Sequence, residues 1–475
     1  MRQGSEPNID GTLFSKAEVK GKDAMNRKSI NEAIDLYHEL LSSKHLASTE
    51  ELLNSATETQ GLSFGKRAVC SVLRPYLIDE ETYRFVKEAS SFVMRGMAAL
   101  GRRLLQDNEL RRELDLTSDE DAISQIATGY GAADVSARLD GFLSETGEFN
   151  FVEYNAESPG GLAYGDALAD AFSAMPIMQE FGARYNFRKI PIRSQVFNTL
   201  LETYHRWGGR ELPNIAIVDW NGVSTYNEFL LMKAHFESQG CRVQIADPGD
   251  LDYRNGKLYA GDFRADLVYK RVVVFELMAK YGLKHPLIDA VRDGAVCMSN
   301  GFGVQMLYKK GMFAIASDPR YGDLFEPEVA AALNRHIPWT RKVREGKTVY
   351  QGREIDLPEF IADTRERLVL KPNGEYGGKG VILGWECDDD QWQSSLKDAL
   401  NDSYIVQERV SLGREVYPSL IDGELRFDER YLDLDPYIWQ GEQVEGCGVR
   451  LSRLALLNVS AGGGSATPMF VISEK

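Results

Sequence analysis

The chain has 475 residues, 43% of them hydrophobic, which exceeds the usual size of a single core and predicts two or three subdomains around a cleft. No stretch reaches the roughly 20 apolar residues of a membrane-spanning helix, and a net charge of −16 argues against a nucleic acid partner. The first residues lack the apolar segment of a secretory signal. We therefore expect a soluble, cytoplasmic protein with neither a membrane nor a nucleic acid partner.

The N-terminal part, to about Leu116, has the pattern of a helical region. Segments such as SINEAIDLYHELLSS carry apolar residues at spacings of three and four, the period of an amphipathic helix. From Val135 the period changes, and the strand-like runs SARLDGFL and FNFVEYN are separated by the turn-forming residues SETGE. The sequence therefore predicts a helical platform followed by a β-hairpin.

An α/β layer is predicted in the middle of the chain. The apolar run IAIVDW at 215–220 precedes a helix from Ser224 to about Gln239 and the strand CRVQIAD. After a hairpin at Gly256, the run RADLVYKRV forms a further strand that ends in two cations, the second of which is Arg271. These elements predict a small Rossmann-like layer, whose terminal cations are either solvated or part of a site.

The final third predicts a strand (RLVLK), a glycine-rich loop (PNGEYGGKG), a strand (VILGW), a helix and a strand (YIVQERV). Lys371 ends the first strand, and the loop contains Gly374, Gly377, Gly378 and Gly380. Glycines let backbone N–H groups approach phosphate oxygens closely, while a lysine supplies charge. The loop is not a Walker loop, because a strand rather than a helix follows it. It is either a nucleotide-binding loop or a simple turn.

Two further features flank this loop. Gln407 and Glu408 end the strand YIVQERV, where a carboxylate can accept hydrogen bonds from a ribose or an amino group. The alternative is an edge strand with exposed polar residues. The closing segment contains a second glycine cluster, NVSAGGG, which begins at Asn458.

The predicted hairpin concentrates polar residues on one face. Arg138 and Asp140 alternate on the first strand, as Glu153 and Asn155 do on the second, because side chains two positions apart share a face. Carboxylate and amide oxygens suit Mg²⁺, and an adjacent arginine can hold a phosphate. Cross-strand salt bridges on a surface hairpin are the alternative.

The pattern Arg-x-Asp followed by Glu-Tyr-Asn-Ala-Glu-Ser-Pro resembles the magnesium-site signature of glutathionylspermidine synthase and its circularly permuted ATP-grasp relatives. In that family the metal-binding strands precede the nucleotide-binding lobe, and here Glu153 and Asn155 likewise precede Lys371. The resemblance spans roughly Ala133 to Ile472. It implies a mixed α+β and α/β fold, namely a circularly permuted ATP-grasp with a Rossmann-like pre-ATP-grasp layer and a helical N-terminal region.

The resemblance also implies roles for individual residues. Asp140, Glu153 and Asn155 look like the Mg²⁺ ligands, and Arg138 looks like the cation at the transferring phosphate. The implied ATP-binding residues are Lys371, one of Lys309 and Lys310, the glycine loop, and Gln407 with Glu408 at the adenine and ribose. Asn458 and the glycines after it resemble the final glycine-rich turn of the family.

We predict five regions along the chain: a helical N-terminal region (1–125), the metal-binding part of the core (126–190), the α/β layer (191–305), the nucleotide-binding lobe (306–410) and a part that closes the core (411–475). The predicted activity is that of an ATP- and Mg²⁺-dependent carbon–nitrogen ligase. It would join a small carboxylate to a small amine through an acyl phosphate, with oxyanion donors from Arg271, Arg450 or the NVSAGGG backbone. An ATP-binding protein without ligase activity and a phosphotransferase are the alternatives.

Overall fold

The computed structural model describes residues 16–131, 134–455, 457 and 464–475, with side chains from Lys28 onward. Asn458 and two glycines of the closing cluster, at 462 and 463, lie outside these ranges. No helix in the described ranges is long and apolar enough to cross a membrane.

Helices dominate the N-terminal region, as the apolar spacing predicts, and recur between the sheets. A π-helical turn at Leu41–His45 joins the first two helices. The helices are α1 (Lys16–Leu40), α2 (Leu46–Gln60), α3 (Glu80–Gln106), α4 (Asn108–Arg111), α5 (Ser118–Ser124), α6 (Leu162–Ala174), α7 (Pro176–Phe181), α8 (Ile192–Trp207), α9 (Tyr226–Ser238), α10 (Val274–Tyr281), α11 (Pro286–Arg292), α12 (Val304–Leu307), α13 (Gly311–Ala316), α14 (Pro327–His336), α15 (Leu357–Asp363) and α16 (Asp389–Asn401).

The strands include three short ones inside the predicted helical region, which the apolar spacing did not indicate. They are β1 (Ser63–Phe64), β2 (Arg67–Ala68), β3 (Tyr76–Asp79), β4 (Ser136–Leu143), β5 (Phe149–Asn155), β6 (Tyr185–Arg188), β7 (Asn214–Val218), β8 (Arg242–Ala246), β9 (Leu251–Arg254), β10 (Lys257–Ala260), β11 (Phe263–Ala265), β12 (Leu267–Lys270), β13 (Cys297–Ser299), β14 (Thr340–Lys342), β15 (Lys347–Tyr350), β16 (Arg353–Asp356), β17 (Leu368–Pro372), β18 (Ile382–Leu383), β19 (Tyr404–Glu408), β20 (Gly413–Ile421), β21 (Glu424–Trp439), β22 (Gln443–Ser452), β23 (Gly464–Ala466) and β24 (Met469–Glu474).

The largest sheet is antiparallel and provides the platform for the site. Its order is β23-β22-β21-β4-β5, with β20 paired to β21. The predicted hairpin is confirmed, since β4 pairs with β5 and the turn closes through a hydrogen bond from Ser144 N to Glu148 O. Residues from both halves of the chain therefore share one sheet face.

A four-stranded parallel sheet, with the order β13-β12-β7-β8, forms the middle layer. The predicted strand–helix–strand unit is present as β7, α9 and β8, although the helix begins at Tyr226 rather than Ser224. From β8 the chain returns to β12 on the other side of β7 and continues to β13. The connections thus diverge between β7 and β12, which leaves a crevice beyond their carboxyl ends.

The antiparallel sheet β14-β19-β17-β18 forms a separate lobe over its own buried cluster, which includes Trp392 and Leu396 of α16. The predicted series of strand, loop, strand, helix and strand is confirmed as β17, the glycine-rich loop, β18, α16 and β19. Asp388 caps α16 through a capping box with Gln391.

A three-stranded sheet ties distant parts of the chain together. Its central strand, β24, runs parallel to β3 and antiparallel to β6. It therefore joins segments from the predicted 1–125, 126–190 and 411–475 regions.

Candidate functional site

A cavity of about 590 Å³ lies against one face of the large sheet, where the parallel layer and the glycine-rich loop meet it. Most of the predicted site residues line this cavity: Arg138, Asp140, Glu153, Asn155, Arg271, Lys310, Lys371, Gly377, Gly378, Gln407, Glu408 and Arg450. Lys309, Gly374 and Gly380 do not line it. Some of these residues are hundreds of positions apart in the sequence, and the fold brings them together around one cavity.

Strand register explains why the hairpin residues converge. Arg138 is opposite Asn155 and Asp140 is opposite Glu153 in the β4–β5 ladder, and a bulge follows Asp140. Directly opposed residues in an antiparallel pair have neighbouring side chains on the same face. The four side chains therefore form one polar patch on the cavity floor.

Asp140 is held by two arginines. Arg138 donates to both of its carboxylate oxygens, from Nε at 2.7 Å and from Nη2 at 3.0 Å, and Arg450 Nη2 donates to Oδ2 at 2.7 Å. Burial alone would raise the pKa of Asp140, but the two guanidinium groups outweigh burial and hold its pKa below the usual range. Asp140 is thus an anion throughout the neutral pH range.

Two further carboxylates, Asp433 and Asp435 of β21, complete this network and were missed in the sequence. Asp433 Oδ2 accepts from Arg450 Nε at 2.9 Å, and Asp435 Oδ2 lies 2.9 Å from the same nitrogen. Burial raises the pKa of both carboxyl groups, with that of Asp435 well above its usual value, although Arg450 opposes the shift. The alternating pattern LDLD in a strand is the signal that could have revealed them.

The two candidate lysines, Lys309 and Lys310, occupy different surroundings in the connection between α12 and α13. Lys310 Nζ lies 3.1 Å from Glu153 Oε1 and donates to Glu375 O at 2.6 Å, so it lies against the hairpin. Lys309 Nζ donates instead to Glu120 Oε1 at 2.8 Å, and Gln305 donates to the same oxygen at 2.6 Å. Of the two, Lys310 is the one that faces the cavity.

Lys371 is buried beside the hairpin and is oriented by Gln407. Its Nζ donates to Gln407 Oε1 at 2.7 Å and to Val152 O at 3.1 Å. Burial and the nearby Lys310 lower the pKa of Lys371 to about 8, while Glu153 works in the opposite direction. Gln407 donates in turn to Thr340 Oγ1 at 3.0 Å, so its side chain holds the lysine in place.

Glu408 lies at the end of β19, where its carboxylate is already bonded. Glu408 Oε1 accepts a hydrogen bond from Tyr350 Oη at 2.7 Å and another from Arg367 Nη2 at 3.1 Å. The residues that follow, Arg409 and Val410, also line the cavity. The end of β19 and the residues after it therefore form part of the cavity wall.

The glycine-rich loop between β17 and β18 requires glycine at particular positions. Gly377, Gly378 and Gly380 have φ values of 66°, 74° and 71°, a region that other residues rarely adopt. At Gly374 the constraint is space, because a Cβ atom there would lie 3.0 Å from Lys309 Nζ. Gly374 and Gly380 thus shape the loop from outside the cavity wall.

The crevice at the carboxyl ends of β7 and β12 supplies another part of the cavity. Arg271 follows β12 and Asp219 follows β7, and both line the cavity. The Arg271 side chain makes long hydrogen bonds, to Tyr269 Oη and Ser158 O at 3.4 Å each, and no carboxylate in the described ranges forms a salt bridge with it. Burial raises the pKa of Asp219 to about 6, which marks a further polar group that the sequence did not suggest.

The residues fit a magnesium ion bound together with phosphate oxygens. Glu153 Oε2 and Asn155 Oδ1 accept no hydrogen bond from the described residues, and both side chains line the cavity. In the described ranges, no cluster of three or more His, Cys, Asp or Glu side chains is arranged to hold a metal by itself. A bound cation here would need oxygens from a second ligand, as Mg²⁺ commonly has at phosphate sites.

Comparison with known proteins identifies the fold of the chain but does not assign it to a family. No family model matches the chain. An uncharacterized protein of Mycobacterium tuberculosis is 24% identical over 351 residues, which cover 69% of this chain and 59% of that protein. A Frankia alni protein provisionally named as a glutamate–cysteine ligase is 24% identical over 347 residues, covering 70% of this chain and 38% of that protein. The chain thus spans less than two thirds of the length of each of these relatives.

The structural comparison covers nearly the whole molecule. A glutathione synthetase-like effector from Globodera pallida, solved without ligand, superposes with a TM-score of 0.56 at 12% sequence identity, over 95% of each chain. The mixed arrangement of helices and sheets around the cavity is therefore that of a glutathione synthetase-like fold.

Proposed function

We propose that the chain is an ATP-dependent ligase that joins a carboxylate to an amine through an acyl phosphate and releases ADP and phosphate. One observation carries the proposal: Lys310, Lys371 and Arg138 surround Glu153 and Asn155 in a single cavity beside a glycine-rich loop. The glutathione synthetase-like fold and the ligase name given to the Frankia relative support the same class of reaction. We further propose the circularly permuted ATP-grasp order, with β4 and β5 preceding the nucleotide lobe.

The charges of the cavity suit transfer of a phosphoryl group. Lys310, Lys371 and the glycine-loop backbone would neutralise the triphosphate. Arg138 would hold the phosphoryl group while it is transferred. Glu153 and Asn155, with Asp140 behind them, would hold Mg²⁺, which supplies charge neutralisation at the phosphate oxygens. Positioning and electrostatics suffice for this step, because the substrate carboxylate is itself the nucleophile.

In the first step a carboxylate oxygen forms a bond to the γ-phosphorus and the bond to ADP breaks. The amine nitrogen then forms a bond to the acyl carbon, loses a proton, and phosphate departs from the tetrahedral intermediate. Arg271 lines the same cavity and has N–H groups available for the oxyanion of that intermediate. Arg450 is a weaker candidate for this role because Asp140, Asp433 and Asp435 already engage it.

A covalent intermediate on Cys447 is disfavoured by the surroundings of this thiol. Cys447 lines the cavity, and burial holds its pKa well above the usual value. The thiolate is the reactive form of cysteine, so this thiol is a poor nucleophile. Direct attack by the substrate on phosphorus is the simpler path.

The test is to incubate the protein with ATP, Mg²⁺ and pooled carboxylates and amines and to measure nucleotide products. We expect ADP, and with hydroxylamine as the acceptor we expect a hydroxamate of the true carboxylate. AMP with pyrophosphate would indicate adenylation instead. ADP formation that leaves a stable phosphorylated product would indicate a phosphotransferase, and binding of ATP without turnover under any pool would indicate a nucleotide-binding protein.

A further inference from the structure

The residues that line the cavity differ in polarity between the two edges of the large sheet. At the β5 edge, the lysines of the nucleotide lobe approach the hairpin, as Lys310 does at Glu153 and Lys371 at Val152 O. At the opposite edge, β23 lies beside apolar segments, since Ala466 N donates to Val69 O and Thr467 N donates to Val449 O. The lining at this second edge therefore includes apolar residues next to Arg450, which is opposite Ala466 in the β22–β23 ladder.

The apolar part of the cavity is a recess lined by hydrophobic side chains. Its wall is formed by side chains from β1, the segment after β2, α6, the segment before α8, the first residue of α8 and β24, namely Phe64, Val69, Tyr164, Ile190, Ile192 and Met469. All but Phe64 are less than 9% exposed. Such burial in residues that line a cavity describes a deep recess rather than a surface patch.

Gly448 of β22 lines the cavity, and Gly446 packs closely against the apolar wall. Gly446 has a φ of 79°, so the strand departs from regular alternation between it and Gly448. A Cβ atom at Gly446 would lie 2.2 Å from Ile192 Cδ1, and one at Gly448 would lie 3.0 Å from Tyr437 Oη. A larger residue at Gly446 would clash with Ile192, and one at Gly448 would crowd Tyr437.

Both carboxylates and cations lie beyond the recess, since a Cβ atom at Gly448 would lie 3.6 Å from Asp435 Cβ, and Arg138 and Arg271 line the same cavity. Tyr437 is opposite Arg138 in the strand register and its hydroxyl approaches Gly161, while Arg138 donates to Gly160 O. Arg271 reaches the same segment through Ser158 O. The nearby Glu228 carboxylate is already bonded to the backbone N–H groups of Gly161 and Ala163.

We infer that the carboxylate substrate carries an apolar side chain or acyl chain, which binds in this recess while its carboxylate meets Arg138 and Arg271. The inference rests on the proposed ligase function and specifies its acid substrate. An apolar group in the recess would gain affinity by leaving water, and the six wall residues named above are uncharged. Small polar acids would leave the recess unfilled.

Gly165 offers a way to fill the recess without disturbing the fold. It lies in α6, lines the cavity, and a Cβ atom added there would meet nothing within 4 Å. Its φ is not positive, so a leucine fits the helix and even favours it. Gly165→Leu is therefore the blocking variant and Gly165→Ala its matched control.

The experiment titrates acetate, butyrate, hexanoate and octanoate into the wild-type protein and both variants, with Kd measured by ligand-observed NMR. We expect the wild-type affinity to rise by up to about fourfold per methylene group. Gly165→Leu should lose most of this gain while acetate binding stays the same, and Gly165→Ala should behave as wild type. Equal affinity along the series, or a gain that survives in Gly165→Leu, would overturn the inference.

A parallel titration with a non-hydrolysable ATP analogue separates this inference from the proposed function. Binding of the analogue without any chain-length effect would refute the recess and leave the ligase proposal standing. A chain-length effect that Gly165→Leu removes, without binding of the analogue, would support the recess and count against the ligase proposal. Thermal melting of each variant checks that α6 remains folded.

Discussion

Tyr376, in the glycine-rich loop, donates a hydrogen bond of 2.7 Å to Glu276 Oε1 of α10, which belongs to the parallel-sheet layer. Trp220 Nε1 donates to the other oxygen of Glu276 at 2.9 Å. The bond to Glu276 and partial burial raise the pKa of Tyr376 to about 12, so the phenol remains protonated and able to donate. A single side chain thus links the loop to the layer across the cavity.

Tyr376→Phe should loosen the glycine-rich loop. The variant removes one hydrogen bond to a charged group, worth about 1 kcal/mol for a half-exposed side chain, or roughly a fivefold loss of affinity for an ATP analogue. Hydrogen–deuterium exchange of residues 374–380 should accelerate, while exchange in α16 should not change.

Tyr253→Phe is the matched control for this prediction. Tyr253 Oη also donates to a carboxylate, Asp293 Oδ2 at 2.9 Å, but it does not line the cavity. If both variants change loop exchange equally, or if Tyr376→Phe leaves it unaltered, the link has no role in holding the loop.

Lys371→Ala should weaken binding of an ATP analogue at least tenfold, about 1.4 kcal/mol, because no other group replaces its charge at the phosphates. Calorimetric titration measures this directly. Lys309→Ala is the comparison, since Lys309 pairs with Glu120 away from the cavity wall. Unchanged affinity in Lys371→Ala would remove the lysine from the nucleotide site.

The pKa of about 8 for Lys371 predicts a pH dependence of nucleotide binding. Below this value the lysine is protonated and attracts phosphate, and above it the neutral amine does not. Affinity for the ATP analogue should therefore fall as the pH rises from about 7 to 9.5, since the uncharged form of a lysine offers no point charge. Lys371→Arg should bind with little pH dependence over this range, because arginine stays charged. A wild-type profile as flat as that of the variant would contradict the prediction.

Glu153→Gln should abolish most Mg²⁺-dependent activity while the melting temperature stays within a few degrees. The substitution keeps the shape of the side chain and removes the charge that would hold the cation. It also leaves Lys310 without its carboxylate partner at 3.1 Å, so affinity for the analogue in the absence of Mg²⁺ should not fall. Activity as a function of Mg²⁺ concentration distinguishes the two effects.

Glu145→Gln, in the exposed turn between the same two strands, is the control for Glu153→Gln. It should leave both the melting temperature and the Mg²⁺ dependence unaltered. If Glu153→Gln unfolds the protein instead, the Glu153 carboxylate has a structural role and is not a ligand of Mg²⁺.

Arg450→Met should destabilise the protein by about 3–5 kcal/mol, because it leaves buried carboxylates without their shared cation. Asp140, Asp433 and Asp435 all lose a partner within 3 Å in this variant. The free energy of unfolding in urea measures the loss. Asp433→Asn added to Arg450→Met should recover part of it by removing one of the stranded charges.

Arg414→Met is the control for the loss of stability in Arg450→Met. Arg414 pairs with Glu429 at 2.9 Å on the solvent side of the same sheet, where an ion pair contributes about 1 kcal/mol or less. Comparable losses for Arg414→Met and Arg450→Met would mean that the buried network does not depend on its arginine.

Local patterns in the sequence predicted local structure well. The β4–β5 hairpin, the strand–helix–strand unit around α9 and the series from β17 to β19 all follow from alternation, helical spacing and turn residues. The side-chain period of two also sufficed to place Arg138, Asp140, Glu153 and Asn155 on one face. These features depend only on neighbours in the chain.

Features that depend on tertiary contacts were not predictable in the same way. Whether Lys309 or Lys310 faces the cavity is decided by Glu120 of α5, which forms a salt bridge with Lys309. No local sequence pattern predicts that contact. Asp433 and Asp435 join the site only because β21 pairs with β4, nearly three hundred residues earlier in the chain. The strands β1 to β3 are too short to show a period.

The pairing of β24 with β3 and β6 sets the order in which the molecule can be completed on the ribosome. Helices and hairpins with local contacts can form during synthesis, whereas a strand that lies between two much earlier segments cannot join them until it has been translated. Met469 of β24 also lines the cavity, so a nascent chain that has not reached this strand lacks part of the cavity wall. Such intermediates would expose the facing edges of β3 and β6 and would be the stage at which chaperones matter most.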